Sequence, residues 1–222
     1  MAHETCHPHP VQTSGPAPEA CGSAIILIHG PDQSPADMFV IAGRINLPAA
    51  CYIAIEAPKQ WLSLKDSTGE IPTIYEPTLQ SLDLQICDLQ RRGVDRSRIV
   101  LLGFSQGACL ACEYIYRNPA RWGGLIAFTG GLAIETGLTW KASGQLHGTP
   151  IQLSNGDRDP WISLQRTEAT LELFREMGGD AALDVYPGRD HLVDDEEILE
   201  SRAIIERVLS SVQQTMGTML SP

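Results

Sequence analysis

At 222 residues the chain is long enough to bury one sizeable core, and 43% hydrophobic against 19% charged residues describes a globular protein. A formal net charge of −11 argues against a surface built to grip a nucleic-acid backbone or anionic lipid. No apolar run approaches the ~20 residues of a membrane helix.

Residues 1–21 are rich in Pro, His and small polar residues and read as a flexible tail, leaving 22–222 as a single domain. This segment has neither the charged nor the apolar region of an export signal, so the cytoplasm is the expected compartment. The six cysteines are then expected to be reduced and buried.

"SAIILIH" is too short for a helix and rich in β-branched residues, hence a buried strand. "SPADMFVIAGRI" follows as a helix, with Ser34 as N-cap and Pro35 in its first turn. "ACYIAIEA" is the next strand, and the Pro-containing stretch from Pro58 to Pro77 reads as a loop covering a site. Leu79, Leu82, Ile86 and Leu89 place a helix from Thr78 to about Gly93.

"RIVLLGF" is a continuous apolar strand, and "SQGACLACEYIYRN" is a helix ended by Pro119. "GGLIAFTG" and "TPIQLSN" are strands, "SLQRTEATLELFREMGG" a helix, and "AALDVYPG" the last strand. A final helix starts near Asp194, its acidic opening suited to the positive end of the helix dipole. Strands and helices alternate and the strands are uniformly apolar, so the expected fold is α/β, a parallel sheet with helices on both faces. Chemistry in such a sheet gathers at the carboxyl ends of the strands.

One such end carries Gly103-Phe104-Ser105-Gln106-Gly107, a G-x-S-x-G sequence where a strand turns into a helix. A random chain of this composition would hold roughly 0.1 such matches, and the strand-turn-helix setting adds the specificity. Ser105 is the expected nucleophile, exposed at a helix N-terminus that favours developing negative charge. It needs a base, because a free hydroxyl is a poor nucleophile. Of the six histidines, His3, His7 and His9 lie in the tail, His29 ends the first strand, and His147 lies in a polar stretch. His191 follows the last strand and completes the order nucleophile, acid, histidine.

The acid should lie between them. Asp157, beside Gly156, reads as a turn former, whereas Asp159 is held extended by Pro160 and is taken as the orienting acid. Asp190 is too close in the chain to bend back to the His191 ring. Cys109 and Cys112 lie inside the helix after Ser105 and read as small buried residues, not a redox pair.

The stretches "GFSQGACLACEYIYRNPARWGGLIAFTGGL", "GDRDPWIS" and "YPGRDHLVDDEE" resemble the phospholipase/carboxylesterase family of α/β-hydrolases, which includes acyl-protein thioesterases. The resemblance runs from about Ala24 to Leu209. It implies an α/β-hydrolase fold, Ser105 as nucleophile, Asp159 as acid and His191 as base. It also implies a small-molecule ester or thioester substrate, with no metal and no cofactor.

Two positions depart from the family. Ile162-Ser163 stands where relatives place Val-Pro after the acid, and "IHGPDQ" stands where relatives carry H-G-x-G. In that loop the residue after His-Gly gives an N–H to the reacting oxyanion, alongside the residue after the serine. Gln106 supplies the second donor. Pro31 has no N–H, so the N–H of Asp32 or the side chain of Gln33 is expected to substitute. Trp61, Tyr75 and Trp161 are the expected substrate contacts. Two alternatives share these residues: a serine acyltransferase, and a binding protein with weakened catalysis.

Overall fold

The computed structural model describes residues 8–56, 75–132 and 140–219. In chain order the elements are β1 (Val11–Ser14), α1 (Pro18–Cys21), β2 (Ala24–Ile28), α2 (Pro35–Ile45) and β3 (Tyr52–Ile55). They continue with α3 (Tyr75–Arg91), β4 (Ile99–Phe104), α4 (Gln106–Arg117), β5 (Gly124–Phe128) and β6 (Pro150–Gly156). The last three are α5 (Leu164–Glu176), β7 (Asp180–Tyr186) and α6 (Asp195–Met219).

The apolar runs become the inner strands of one seven-stranded sheet in the order β1-β3-β2-β4-β5-β6-β7. All neighbours from β3 to β7 pair in parallel, as the uniform hydrophobicity of the strands requires when both faces are covered. Alternate residues of each strand feed two cores. Ile26, Ile28 and Leu101 pack with α3, α4 and α5, while Ile25, Leu27 and Leu102 pack with α2 and α6. Burying one such aliphatic side chain contributes about 1.5–3 kcal/mol, so this double cover fixes the register of every central strand.

The N-terminal reading needs correction. Residues 11–14 are not a flexible tail but the antiparallel edge strand, with Val11 opposite Ile55 and Ser14 opposite Tyr52. Glu56 N–H extends this pairing to the Pro10 carbonyl at 2.8 Å. α1 follows, and an Arg92–Glu19 ion pair ties it to the end of α3. The domain therefore includes residues 10–21. Backbone groups alone make the β1 ladder and all four side chains are exposed, so no periodicity announced it.

A smaller difference concerns α3, which begins at Tyr75 and accepts Pro77 in its first turn, where no intrahelical N–H is lost. β2, β4, β6 and β7 all end on one side of the sheet, and the loops that leave them meet there.

Candidate active site

Ser105 sits between β4 and α4 with φ 55° and ψ −121°, a backbone region that non-glycine residues avoid. Such strain costs about 1–3 kcal/mol and persists only when the surroundings hold it. They do: Ser105 N–H donates to the Phe128 carbonyl at 3.0 Å, and Cys109 N–H donates to the Ser105 carbonyl at 3.0 Å. The flanking glycines permit the turn. A Cβ on Gly103 would lie 2.4 Å from the Gly107 carbonyl oxygen, and one on Gly107 would lie 2.1 Å from the Ile28 carbonyl oxygen. The helix therefore starts almost in contact with two strands, and Ser105 projects from the corner.

The loops after β6 and β7 bring the other expected residues to it. His191 Nε2 lies 2.8 Å from Ser105 Oγ, and His191 Nδ1 lies 2.6 Å from Asp159 Oδ2. Asp159's other carboxylate oxygen accepts from the Trp161 N–H at 2.8 Å and the Ile162 N–H at 3.0 Å. Its side chain is fully buried, whereas that of His191 is 15% exposed. Each group thus has one way to point. With Nδ1–H donated to the carboxylate, Nε2 is left as the acceptor for the serine proton.

Five residues that sequence reasoning did not place in the site hold this wall. The Phe104 ring lies 5.1 Å from the His191 ring, centroid to centroid. Asp157 Oδ1 accepts from the Gly188 N–H at 2.6 Å, latching one loop to the other. A Cβ on Gly156 would lie 2.0 Å from the Arg189 carbonyl oxygen, so these backbones touch. Beneath them, buried Arg189 donates from Nη1 to Glu197 Oε1 at 2.5 Å.

Glu197 also accepts from the Asp194 N–H at 2.7 Å and from the Ser154 hydroxyl. Burial pushes its carboxyl pKa up, against the pull of Ser154, the Asp194 N–H and Arg189. The Arg189 guanidinium carbon stacks 4.1 Å from the Tyr186 ring centroid. The only sequence signals were an arginine two residues before His191 and an acidic run that read as a helix start.

The opposite wall is the loop after β2. Pro31 and left-handed Asp32, φ 56°, are the two central residues of a turn from Gly30 to Gln33. His29 is buried, its Nδ1 2.7 Å from the Gly30 carbonyl oxygen. Gly30 N–H donates to Gln33 Oε1 at 2.8 Å. As the first residue of α4, Gln106 has an N–H with no acceptor in its own helix, facing the Ser105 corner.

Trp161 is 74% exposed beside Asp159. Trp61 and the side chain of Tyr75 lie outside the described residues. Cys109 and Cys112 are buried within α4. Among the described residues, no three His, Cys, Asp or Glu side chains stand together to hold a metal ion. No helix among them is long and apolar enough to cross a membrane.

Residues 15–209 match the phospholipase/carboxylesterase family. Among curated proteins, the chain is similar to esterase YpfH of Escherichia coli, at 29% identity over 191 residues that cover 77% of this chain and 76% of that one. It is also similar to acyl-protein thioesterase 1 of Gibberella zeae, at 23% identity over 185 residues, 77% of either chain. A solved phospholipase/carboxylesterase from Dyadobacter fermentans superposes with a TM-score of 0.80 at 26% identity, covering 94% of this chain and 100% of that one.

Proposed function

The chain belongs to the phospholipase/carboxylesterase family of α/β-hydrolase enzymes, and within it we propose a serine hydrolase that cleaves carboxylic esters, thioesters included, through an acyl-enzyme on Ser105. The observation that carries this reading is the hydrogen-bonded line from Ser105 Oγ to His191 to Asp159, at 2.8 and 2.6 Å.

Ser105 Oγ attacks the substrate carbonyl carbon as His191 Nε2 takes its proton. The resulting tetrahedral oxyanion accepts from the Gln106 N–H and from a second donor on the β2 loop. The carbon–oxygen or carbon–sulfur bond to the leaving group then breaks, and His191 returns the proton to the departing alkoxide or thiolate. Water attacks the acyl-enzyme with His191 again as base, releasing the carboxylic acid and free Ser105. Asp159 keeps the imidazole in the working tautomer and stabilises its charged form without taking the proton. Trp161, exposed beside the acid, is the proposed contact for the substrate's apolar part.

One relative is named an esterase and the other a thioesterase, so the test uses aryl esters and acyl thioesters of graded chain length. Incubation with a fluorophosphonate followed by mass spectrometry is expected to place one label on Ser105. Ser105→Ala is expected to abolish both labelling and turnover. A folded wild-type chain that stays unlabelled, or a Ser105→Ala chain that still hydrolyses the esters, would overturn the proposal.

A further inference from the structure

The oxyanion is short of a donor on the β2 side, because Pro31 has no N–H to give and the Gly30 N–H is already donated to Gln33. We infer that the side-chain amide of Gln33 is the missing donor, its Nε2–H pointing at the oxyanion opposite the Gln106 N–H. This rests on the reading of Ser105 as nucleophile.

Three observations carry it. The Gly30 N–H fixes which way the carboxamide is turned: with Oε1 accepting at 2.8 Å, the two protons of Nε2 point away from that bond. The position of the group follows from Gly30 itself. A methyl placed on Gly30 would lie 2.9 Å from Gln33 Oε1, 3.1 Å from Phe104 Cδ1 and 3.2 Å from Ser105 Cβ. Gln33 Oε1, the Phe104 ring and Ser105 Cβ therefore all border the same side of Gly30, which puts the carboxamide group beside the nucleophile. Lastly, Gln33 is half-buried, and its Nε2 has no protein acceptor among the described residues. A carboxamide anchored through its oxygen beside the nucleophile, with its N–H groups uncommitted, is what an oxyanion site needs, since it does not have to reorganise as charge develops.

The turn explains why the substitution is possible. Pro at the second position and a left-handed residue at the third give a tight reversal. The reversal brings the residue at the fourth position back over the first. Asp32, at the exposed corner, is the alternative donor through its backbone N–H.

Two variants separate donation from loop bracing. Gln33→Ala removes both the donor and the brace on the Gly30 N–H. Gln33→Glu keeps an acceptor for the Gly30 N–H but has no proton to give. Both are expected to lower kcat roughly 100- to 1,000-fold with little change in KM, the usual loss for one oxyanion donor. Binding of an aryl trifluoromethyl ketone, which forms a tetrahedral oxyanion on Ser105, is expected to weaken in step with kcat/KM. Circular dichroism confirms folding of both variants. Wild-type kcat in either folded variant overturns the inference and leaves the donor to Asp32. Activity in Ser105→Ala would instead overturn the reading beneath it, so the two failures are distinct.

Discussion

The two walls of the cleft around Ser105 are held by different means. On the β6–β7 side, Asp159 is gripped by two backbone N–H groups, Asp157 latches Gly188, and Arg189 and Glu197 lock the loop from below. On the β2 side, the turn rests on its own backbone and on two local contacts, from Gly30 to the Gln33 side chain and from the His29 ring to the Gly30 carbonyl. The difference follows from chemical duty. A base that moves a proton twice per turnover needs its ring fixed in position and tautomer. An oxyanion donor needs only a dipole in place when charge appears.

The comparison predicts how each wall breaks. Asp159→Asn should cause the largest loss, about 10⁴-fold in kcat, because an amide facing His191 Nδ1 favours the wrong tautomer. Steady-state kinetics on an aryl ester measures it, and a loss below tenfold would remove Asp159 from the reaction. Glu197→Gln acts on stability, leaving the buried Arg189 guanidinium with only the more distant and half-exposed Asp194 carboxylate, at 3.7 Å. The expected cost is about 3 kcal/mol, read from urea denaturation. Adding Arg189→Met should recover part of it, since the uncompensated cation is then gone. A Glu197→Gln chain as stable as wild type would show that the β7 loop does not depend on this pair.

The smallest effect lies on the same wall, at Glu200. Its carboxyl faces that of Asp184, and this neighbour together with desolvation pushes the Glu200 pKa up to about 7. The folded chain thus holds a proton that the unfolded chain releases near the ordinary value of 4.5. That contribution is complete below the unfolded pKa and is lost as pH rises through about 7. Thermal midpoints should fall between pH 5 and 8, and Glu200→Gln should flatten part of that fall. An unchanged slope would detach Glu200 from it.

The nucleophile turn was legible because its stereochemistry admits few sequences. Any side chain at Gly107 would strike the Ile28 carbonyl, so the pattern marks a geometric necessity. His191 and Asp159 were readable from chain order and from Pro160. The brace beneath them was not, because Arg189 and Glu197 are eight residues apart on different elements and look like solvated charges until the fold buries them. The β2 loop was legible as a departure, since Pro31 visibly lacks an N–H. Which group replaces it depends on how the turn folds back, and no linear pattern encodes that. β1 escaped notice for a related reason: its four exposed residues are held by backbone bonds to a strand about forty residues away.

That edge strand also governs how the molecule behaves among its own copies. β3, Tyr52–Ile55, is buried along its whole length, and β1 covers its outer side. A chain trimmed at Gly22 would leave β3 as the border of the sheet, an apolar strand with a row of unpaired N–H and carbonyl groups. Such a border recruits further strands and leads to self-association. Val-Gln-Thr-Ser, short and exposed, closes the sheet with a strand poorly suited to that recruitment. A cut that removes this strand is therefore expected to promote self-association, and one made just before Pro10 would also remove His9, whose backbone bonds Ser81 and Gln85 of α3.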